Sequence, residues 1–122
     1  MGCYFCGNLN TEQHHIIFRS QCKPLQNCKY NIVELCVEHH RGCNGVHGKN
    51  GSKLNIVLRK NLQKKINSLL KMVRLNNEGI SSILQISEDD AYKLTKGLIL
   101  NTDGVYDEND VLRKILGGKL YL

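Results

Sequence analysis

All of the cysteines and histidines in this chain lie between residues 3 and 47. There are six cysteines and five histidines among 122 residues, and the 75 residues after His47 contain neither type. Thiolates and imidazoles are the ligands that zinc and several other divalent ions prefer. Their segregation therefore predicts a compact metal-dependent region in the first half of a chain that is long enough for one domain.

Two short ligand pairs predict a structural zinc site. Cys3 and Cys6 form a CxxC pair, and Cys36 and His39 repeat the same spacing thirty residues after Cys6. A two-residue spacer lets both ligands of one turn reach the same ion. Cys43 is the alternative to His39 as the fourth ligand. The interpretation without metal is that these cysteines are small buried residues and that the histidine lies on the surface.

The other four histidines suggest a second ion with open coordination positions. His14 and His15 are adjacent on a predicted strand, so their side chains point to opposite faces and do not easily bind one ion together. His40 follows the second zinc pair directly, and His47 lies seven residues further on. A histidine from the strand and one or two from the helix could share a catalytic ion.

The order of these motifs resembles the HNH family of ββα-metal nucleases. It runs from CxxC at residues 3–6 through HHI at 14–16 and NIVELC at 31–36 to HH at 39–40 and GVH at 45–47. The resemblance covers residues 3–48 and implies a ββα-metal nuclease core with a structural zinc site. With the helical pattern of the second half, the predicted fold class is α+β, in which an all-α C-terminal region follows that core. The sequence departs from the family pattern in two places. His39 stands where a cysteine is commoner, and Asn44 stands four residues after His40, where nuclease toxins of the family have a histidine.

The resemblance also implies a role for each remaining residue of the site. His14 and His40 would bind the catalytic ion, and His47 is assigned to the same ion, with a phosphate contact or a surface position as its alternatives. His15 would be the general base that activates a water, and Asn31 would orient that base or hold the hairpin loop. The implied activity is hydrolysis of DNA phosphodiester bonds, with Zn²⁺ at the structural site and Mg²⁺ or another divalent ion at the histidines.

Charge is divided unevenly along the chain. Residues 1–74 contain twelve Lys and Arg against three Asp and Glu, a net charge of +9, whereas residues 75–122 have a net charge of −3. A basic half that also holds the metal ligands suits a nucleic-acid partner, and Arg19, Arg41 and Lys49 are candidates for contacts to DNA phosphates. A solvated basic face is the simpler alternative. The acidic second half is compatible with a protein partner.

The apolar pattern divides the chain into three regions. Residues 1–52 form the predicted core, with strands at 12–18 and 29–35 joined by a loop that contains Cys22 and Cys28 as non-ligands, and with a short helix from Val37. Residues 53–75 have the apolar period of a long basic helix, with Ser52 as its N-cap. Residues 76–122 are predicted to be helical. One helix starts at Ser87 and ends near residue 100, and the last helix starts at Asp107 and stops at Gly117–Gly118. Residues 80–98 have the rhythm of a helix-turn-helix, but the acidic start of the second helix favours packing in a bundle.

The sequence contains neither an apolar run long enough for a membrane span nor the pattern of a signal peptide. We therefore expect a cytoplasmic protein without a membrane partner, in which the cysteines are thiols or metal ligands. A disulfide framework is the alternative for a secreted chain. The competing function is a non-catalytic, zinc-stapled nucleic-acid-binding or regulatory protein, for which His14, His15, Asn31 and His40 would be superfluous.

Overall fold

The computed structural model describes residues 2–121 and shows a mixed α+β fold, as predicted. In chain order the elements are strands β1 (Thr11–His15) and β2 (Ile32–Cys36), then helices α1 (Val37–Arg41), α2 (Ser52–Leu70), α3 (Asn77–Leu84), α4 (Glu88–Thr95) and α5 (Glu108–Ile115). One-turn 3-10 helices at Lys23–Leu25 and Lys29–Asn31 lie in the connection between the strands. The two strands are antiparallel, and α1 follows β2 directly.

The strands are shorter than the predicted ranges 12–18 and 29–35, and both are displaced. β1 pairs with β2 from Thr11 opposite Cys36 to His15 opposite Ile32. The pairing ends at His15 because the next part of the chain turns toward Asn31, whose side-chain oxygen accepts the N–H of Ile17 at 2.7 Å. Residues 29–31, predicted as strand, instead form a helical turn. β2 therefore starts three residues late and continues through residue 36.

Helix α2 spans residues 52–70 rather than 53–75, and its first residue is the serine that was predicted as the N-cap. Gly51 occupies the cap position, without a side-chain cap. The helix ends early because the N–H of Met72 bonds to the carbonyl of Leu69, a tighter turn that does not continue the α-helical pattern. Its buried residues are Leu58, Leu62, Ile66 and Leu70, all on the predicted apolar stripe, whereas Val57, which was predicted on the same stripe, is 40% exposed. Between residues 2 and 121 no helix has both the length and the apolar character needed to cross a membrane.

The C-terminal helices begin at polar caps. The side chain of Ser87 accepts the N–H of Asp90, and that of Asp107 accepts two N–H groups of α5, as predicted. Helix α4 ends at Thr95 rather than near residue 100, because the backbone leaves the helical region and Gly97 has a φ of +89°. Gly117, with a φ of +76°, follows the end of α5, which confirms the predicted stop.

One cluster of buried apolar side chains extends through all three regions of the chain, from Cys3 to Leu116. α3 packs on α4, α4 packs on α5, and α2 contacts α3 and α5, as expected of a bundle. The thiol of Cys28, in the connection between the strands, donates to the carbonyl of Leu84 in α3 at 3.4 Å. Gln63 of α2 exchanges two hydrogen bonds with the backbone of Tyr121, at 2.6 and 2.7 Å. The helical region is therefore part of the same packed unit as the metal-ligand candidates.

Candidate metal centres

The first candidate centre joins the start of the chain to the start of α1. Cys3, Cys6, Cys36 and His39 each offer one ligand atom, and these atoms lie within 4.8 Å of one another. Cys6 Sγ lies 3.7 Å from Cys36 Sγ, and His39 Nδ1 lies 3.6 Å from Cys3 Sγ and 3.2 Å from Cys36 Sγ. A tetrahedral zinc with bonds of about 2.3 Å to sulfur and about 2.0 Å to nitrogen needs ligand separations of roughly 3.5–3.8 Å. The group could therefore bind a metal such as zinc.

Backbone hydrogen bonds hold the two ligand pairs together. The N–H of Tyr4, between the first two cysteines, donates to the carbonyl of Glu34 in β2 at 2.8 Å. Cys36 occupies the N-cap position of α1, and its sulfur accepts the N–H of His39 at 3.5 Å. The first pair is therefore bound to the strand that ends in the second pair, and His39 lies one helical turn from Cys36.

The other three cysteines lie outside this group. Cys43, the alternative fourth ligand, is exposed, and its sulfur accepts a hydrogen bond from Asn50 at 3.6 Å. Cys22 and Cys28 are buried, and burial raises the pKa of both thiols, that of Cys22 to about 11. A thiol that resists ionisation is a poor metal ligand. The geometry therefore favours His39 over Cys43 and leaves the two loop cysteines in the core.

One thiol of the group ionises easily. Burial raises the pKa of Cys3, but hydrogen bonds from the backbone of Cys36, Phe5 and Cys6 outweigh this and bring it to about 6. A hydrogen bond from the backbone of Asn8 lowers the pKa of Cys6, but burial and the neighbouring Cys36 and Cys3 raise it by more. The lowered pKa favours the thiolate form of Cys3, and the thiolate is the form that binds metal.

The second candidate centre is a trio of histidines from three different segments. His14 comes from β1, His40 from α1 and His47 from the loop after α1, and one ring nitrogen of each lies within 4.8 Å of the others. The ring centroids are 4.7–5.2 Å apart. His14 is 3% exposed, and its Nε2 has no hydrogen-bond partner among residues 2–121. A buried ring nitrogen without a partner is costly, so this atom fits a metal ligand better than a packed core residue.

All three histidines of the trio favour the neutral form. Burial, with smaller contributions from neighbouring charges, lowers the pKa of His14 to about 4. Burial also lowers the pKa of His40 and of His47, and the charge of His40 adds to the effect on His47. A neutral imidazole is the metal-binding form of histidine. Near neutral pH the trio is therefore ready to bind a cation.

A carboxylate that sequence reasoning missed supports the trio. Nδ1 of His40 lies 2.8 Å from Oε1 of Glu12, which fits an N–H that donates to the carboxylate and leaves Nε2 free. Arg41 also pairs with Glu12 through two nitrogens, so this predicted phosphate contact is engaged within the site. Glu12 precedes His14 by two residues in a strand, and this spacing places both side chains on one face. The spacing could have identified Glu12 as a neighbour of the metal ligands from the sequence.

A glycine-rich loop brings His47 to the other two histidines. After α1 ends at Arg41, the chain folds back on the helix, and the N–H groups of Val46 and His47 donate to the carbonyls of His39 and His40, both at 2.9 Å. The loop replaces the next helical turn, in which residue 44 would have faced His40. His47, whose role the sequence left open, is thereby placed in the trio.

The tight packing of this loop predicts a strong effect of Gly48→Ala. A Cβ at residue 48 would overlap the carbonyl oxygens of Gly42 and Cys43, the latter at 2.6 Å. The loop must then shift and move His47, so we expect divalent-ion affinity at the trio to fall about tenfold or more. Calorimetric titration of zinc-loaded protein with Mn²⁺ measures this, with Lys49→Ala in the exposed neighbouring position as control. Equal affinity in both variants would contradict the role of this loop packing in placing His47 as a ligand.

His15 lies beside the trio but is not part of it. Nε2 of His15 is 2.8 Å from the carbonyl of Gln26, so Nε2 carries an N–H, and in the neutral tautomer that fits this bond the lone pair is on Nδ1. Both histidines of the pair line one open cavity of about 420 Å³, which His40 and His47 also line. His15 therefore borders the same cavity as the trio, and Nδ1 is its ring nitrogen outside the bond to Gln26.

Asn31 holds the connection between the strands. It is 1% exposed, and its side chain accepts the N–H of Ile17 and donates to the carbonyls of Ile17 and Leu25, at 2.7, 3.0 and 3.3 Å. Within residues 2–121 none of its hydrogen bonds reaches His15. Of the two roles predicted for Asn31, orienting the base or holding the hairpin loop, its hydrogen bonds fit the second.

The predicted phosphate contacts are placed differently from one another. Arg19 is exposed and lines the cavity beside the histidines. Lys49 is exposed on the glycine-rich loop. Phe18, which the sequence analysis did not single out, packs against His14 and His47 with centroids 5.9 Å apart, and Arg59 of α2 lies 5.2 Å from its ring. The cavity thus has an aromatic wall and a basic edge.

Comparisons of the chain with protein-family models, with curated proteins and with solved structures gave no significant match. Function must therefore be inferred from the two centres and from the sequence motifs that form them.

Proposed function

We propose that this protein is a metal-dependent DNA endonuclease of the HNH type. The observation that carries the proposal is the histidine trio, with its unpartnered buried nitrogen, on a cavity that His15 also lines. A structural site needs no open cavity and no base beside it. The combination suits a hydrolytic reaction that requires a cation and a proton acceptor at the same place.

In this mechanism His15 accepts the proton of the attacking water at Nδ1 while Nε2–H stays bonded to the Gln26 carbonyl. The water oxygen forms the new bond to phosphorus, and the bond to the leaving sugar oxygen breaks. His14, His40 and His47 would hold a divalent ion, which when bound would supply positive charge for the phosphate and the leaving oxygen. Arg19 binds a neighbouring phosphate, and Glu12 holds His40 in the tautomer that leaves Nε2 free.

The alternative is a zinc-stapled nucleic-acid-binding or regulatory protein without catalysis. The net charge of +9 in residues 1–74 and the cysteine-rich group favour it equally. It does not account for a second ligand group beside an open cavity. Catalytic cleavage of nucleic acid distinguishes the two functions, because only the nuclease turns over its substrate.

The proposal is tested by incubating supercoiled plasmid and single-stranded DNA with zinc-loaded protein and Mg²⁺, Mn²⁺ or Ni²⁺. Wild-type protein is expected to cleave with at least one added ion. His40→Ala removes a ligand, so we expect half-maximal cleavage to need about 10–100-fold more of that ion. Asn44→Ala, in the loop but outside the trio, should keep the wild-type requirement. If no added ion produces cleavage of DNA or RNA by a protein that still binds them, the binding module is the correct assignment.

A further inference from the structure

We propose that a second cavity, between the strands and α2, holds one unpaired nucleobase of the substrate. The inference rests on the proposed function and deepens it, because it names the form of nucleic acid that the protein prefers. The cavity has a volume of about 180 Å³. Cavities of ~150 Å³ accept a benzene-sized ring, so this one admits the ring of a single base.

The walls of this cavity suit a flat aromatic ligand. Tyr4 and Tyr30 line it, and its apolar floor includes Ile16, Val33 and Leu58. Tyr4 is 47% exposed, and Tyr30 is partly exposed. Aromatic side chains at the edge of an apolar depression are the usual stacking surfaces for unpaired bases, and every base has a face that can stack on them.

The rim of the cavity suits the rest of a nucleotide. The ammonium groups of Lys29 and Lys65 lie 5.2 and 5.8 Å from the ring centroid of Tyr30. Neither lysine pairs with a carboxylate in the part of the chain that the structure describes. A base that stacks on Tyr30 displaces one ammonium group, which then pairs with the phosphate of the same strand. The amide of Asn61, which donates to the hydroxyl of Tyr4 at 2.6 Å, adds hydrogen-bonding capacity at the rim.

The position of the cavity relates it to both candidate centres. Ile16 follows His15 directly, so the end of β1 contributes to the catalytic cavity and to this one. Tyr4 lies between Cys3 and Cys6, and its backbone N–H is bonded to β2. The metal-ligand group thereby fixes one wall of the cavity. A base in a duplex cannot enter, because its faces are stacked on its neighbours, so the cavity selects unpaired strands.

Binding measurements test the inference without depending on cleavage. Full-length, zinc-loaded protein with His15→Ala, which slows hydrolysis, is titrated by fluorescence anisotropy with a 12-nucleotide DNA strand, the same RNA strand and the DNA duplex. Tyr30→Leu is expected to lower affinity for the unpaired strand about 5- to 100-fold and for the duplex by less than about twofold. Tyr30→Phe, which keeps the stacking face, should bind as the parent does. The strand that loses affinity identifies the cavity as a DNA or an RNA site.

Lys64→Ala is the matched control, since it removes an exposed charge from α2 outside the cavity and should weaken duplex and single strand equally. Tyr4→Leu, at the other tyrosine that lines the cavity, repeats the test if Tyr30→Leu fails to fold. The inference is wrong if the leucine variants weaken single strand and duplex by the same factor, or if Tyr30→Phe is as weak as Tyr30→Leu. If wild-type protein cleaves DNA but the leucine variants lose no more affinity for single strands than for duplex, only the proposal of a nucleobase site is wrong. If the leucine variants lose affinity selectively for single strands but wild-type protein cleaves nothing, only the proposed nuclease function is wrong.

Discussion

His15→Ala is expected to lower the rate of metal-dependent DNA cleavage by about 10²–10⁴-fold, while zinc content, melting temperature and DNA affinity stay near the wild-type values. The base acts on the attacking water and contributes mainly in the transition state, so its loss reduces turnover more than binding. The His15 side chain is partly exposed, and within residues 2–121 it makes one hydrogen bond, to the Gln26 carbonyl. Its removal should therefore destabilise the fold little. Single-turnover cleavage with each of the three ions measures the effect.

Two further variants separate the base from its neighbours. His40→Ala should change the ion requirement, because it removes a ligand rather than the proton acceptor. Asn31→Ala should lower the melting temperature as well as the rate, because it leaves the buried N–H of Ile17 without its partner. If His15→Ala cleaves as fast as wild type with every ion, the nuclease mechanism proposed for this site is wrong.

Removal of the metal from the cysteine-rich group is expected to unfold the N-terminal half. Structural zinc contributes roughly 10–16 kcal/mol in small zinc-binding peptides, whereas whole domains are stable by only about 5–15 kcal/mol. Cys36→Ser isolates this effect, because serine is itself a good N-cap for α1 and only the ligand is lost. Circular dichroism melts and metal analysis should show a zinc-free protein whose N-terminal half is unfolded.

Cys43→Ser is the matched control for that experiment, since Cys43 is exposed and lies outside the ligand group. It should retain one zinc and the wild-type melting curve. A zinc-free wild-type protein that melts cooperatively would contradict the structural role. Loss of zinc in Cys43→Ser, with retention in His39→Ala, would reassign the fourth ligand.

The features that follow short-range rules were predictable from the sequence. The ligand pairs at 3–6 and 36–39 repeat one spacing, and the buried face of α2 repeats every four residues. Ser87 and Asp107 are capping residues followed by acidic first turns, so their helices start where propensity puts them. In each case the interaction that decides the structure spans only a few residues.

The features that depend on distant contacts were not predictable. Residues 29–31 have the composition of a strand, but the hydrogen bonds of Asn31 across the connection favour a turn. Glu12 acquires its role only when α1 brings His40 and Arg41 to β1. The cavity lined by Tyr4 and Tyr30 requires the Cys3–Cys6 segment, the connection between the strands and α2 to meet, and no local pattern encodes that meeting.

The glycine-rich loop after α1 frees one ligand of the trio from helical geometry. Two histidines on one helix must be three or four residues apart to face the same ion, and each inserted residue rotates the second by about 100°. Here His40 and His47 are seven residues apart and meet because the loop folds back onto α1. A search that demands fixed helical spacing between ligands passes over such a chain. A search for an i, i+2 acid–histidine pair on a strand, followed by a histidine in a glycine-rich turn, would find it.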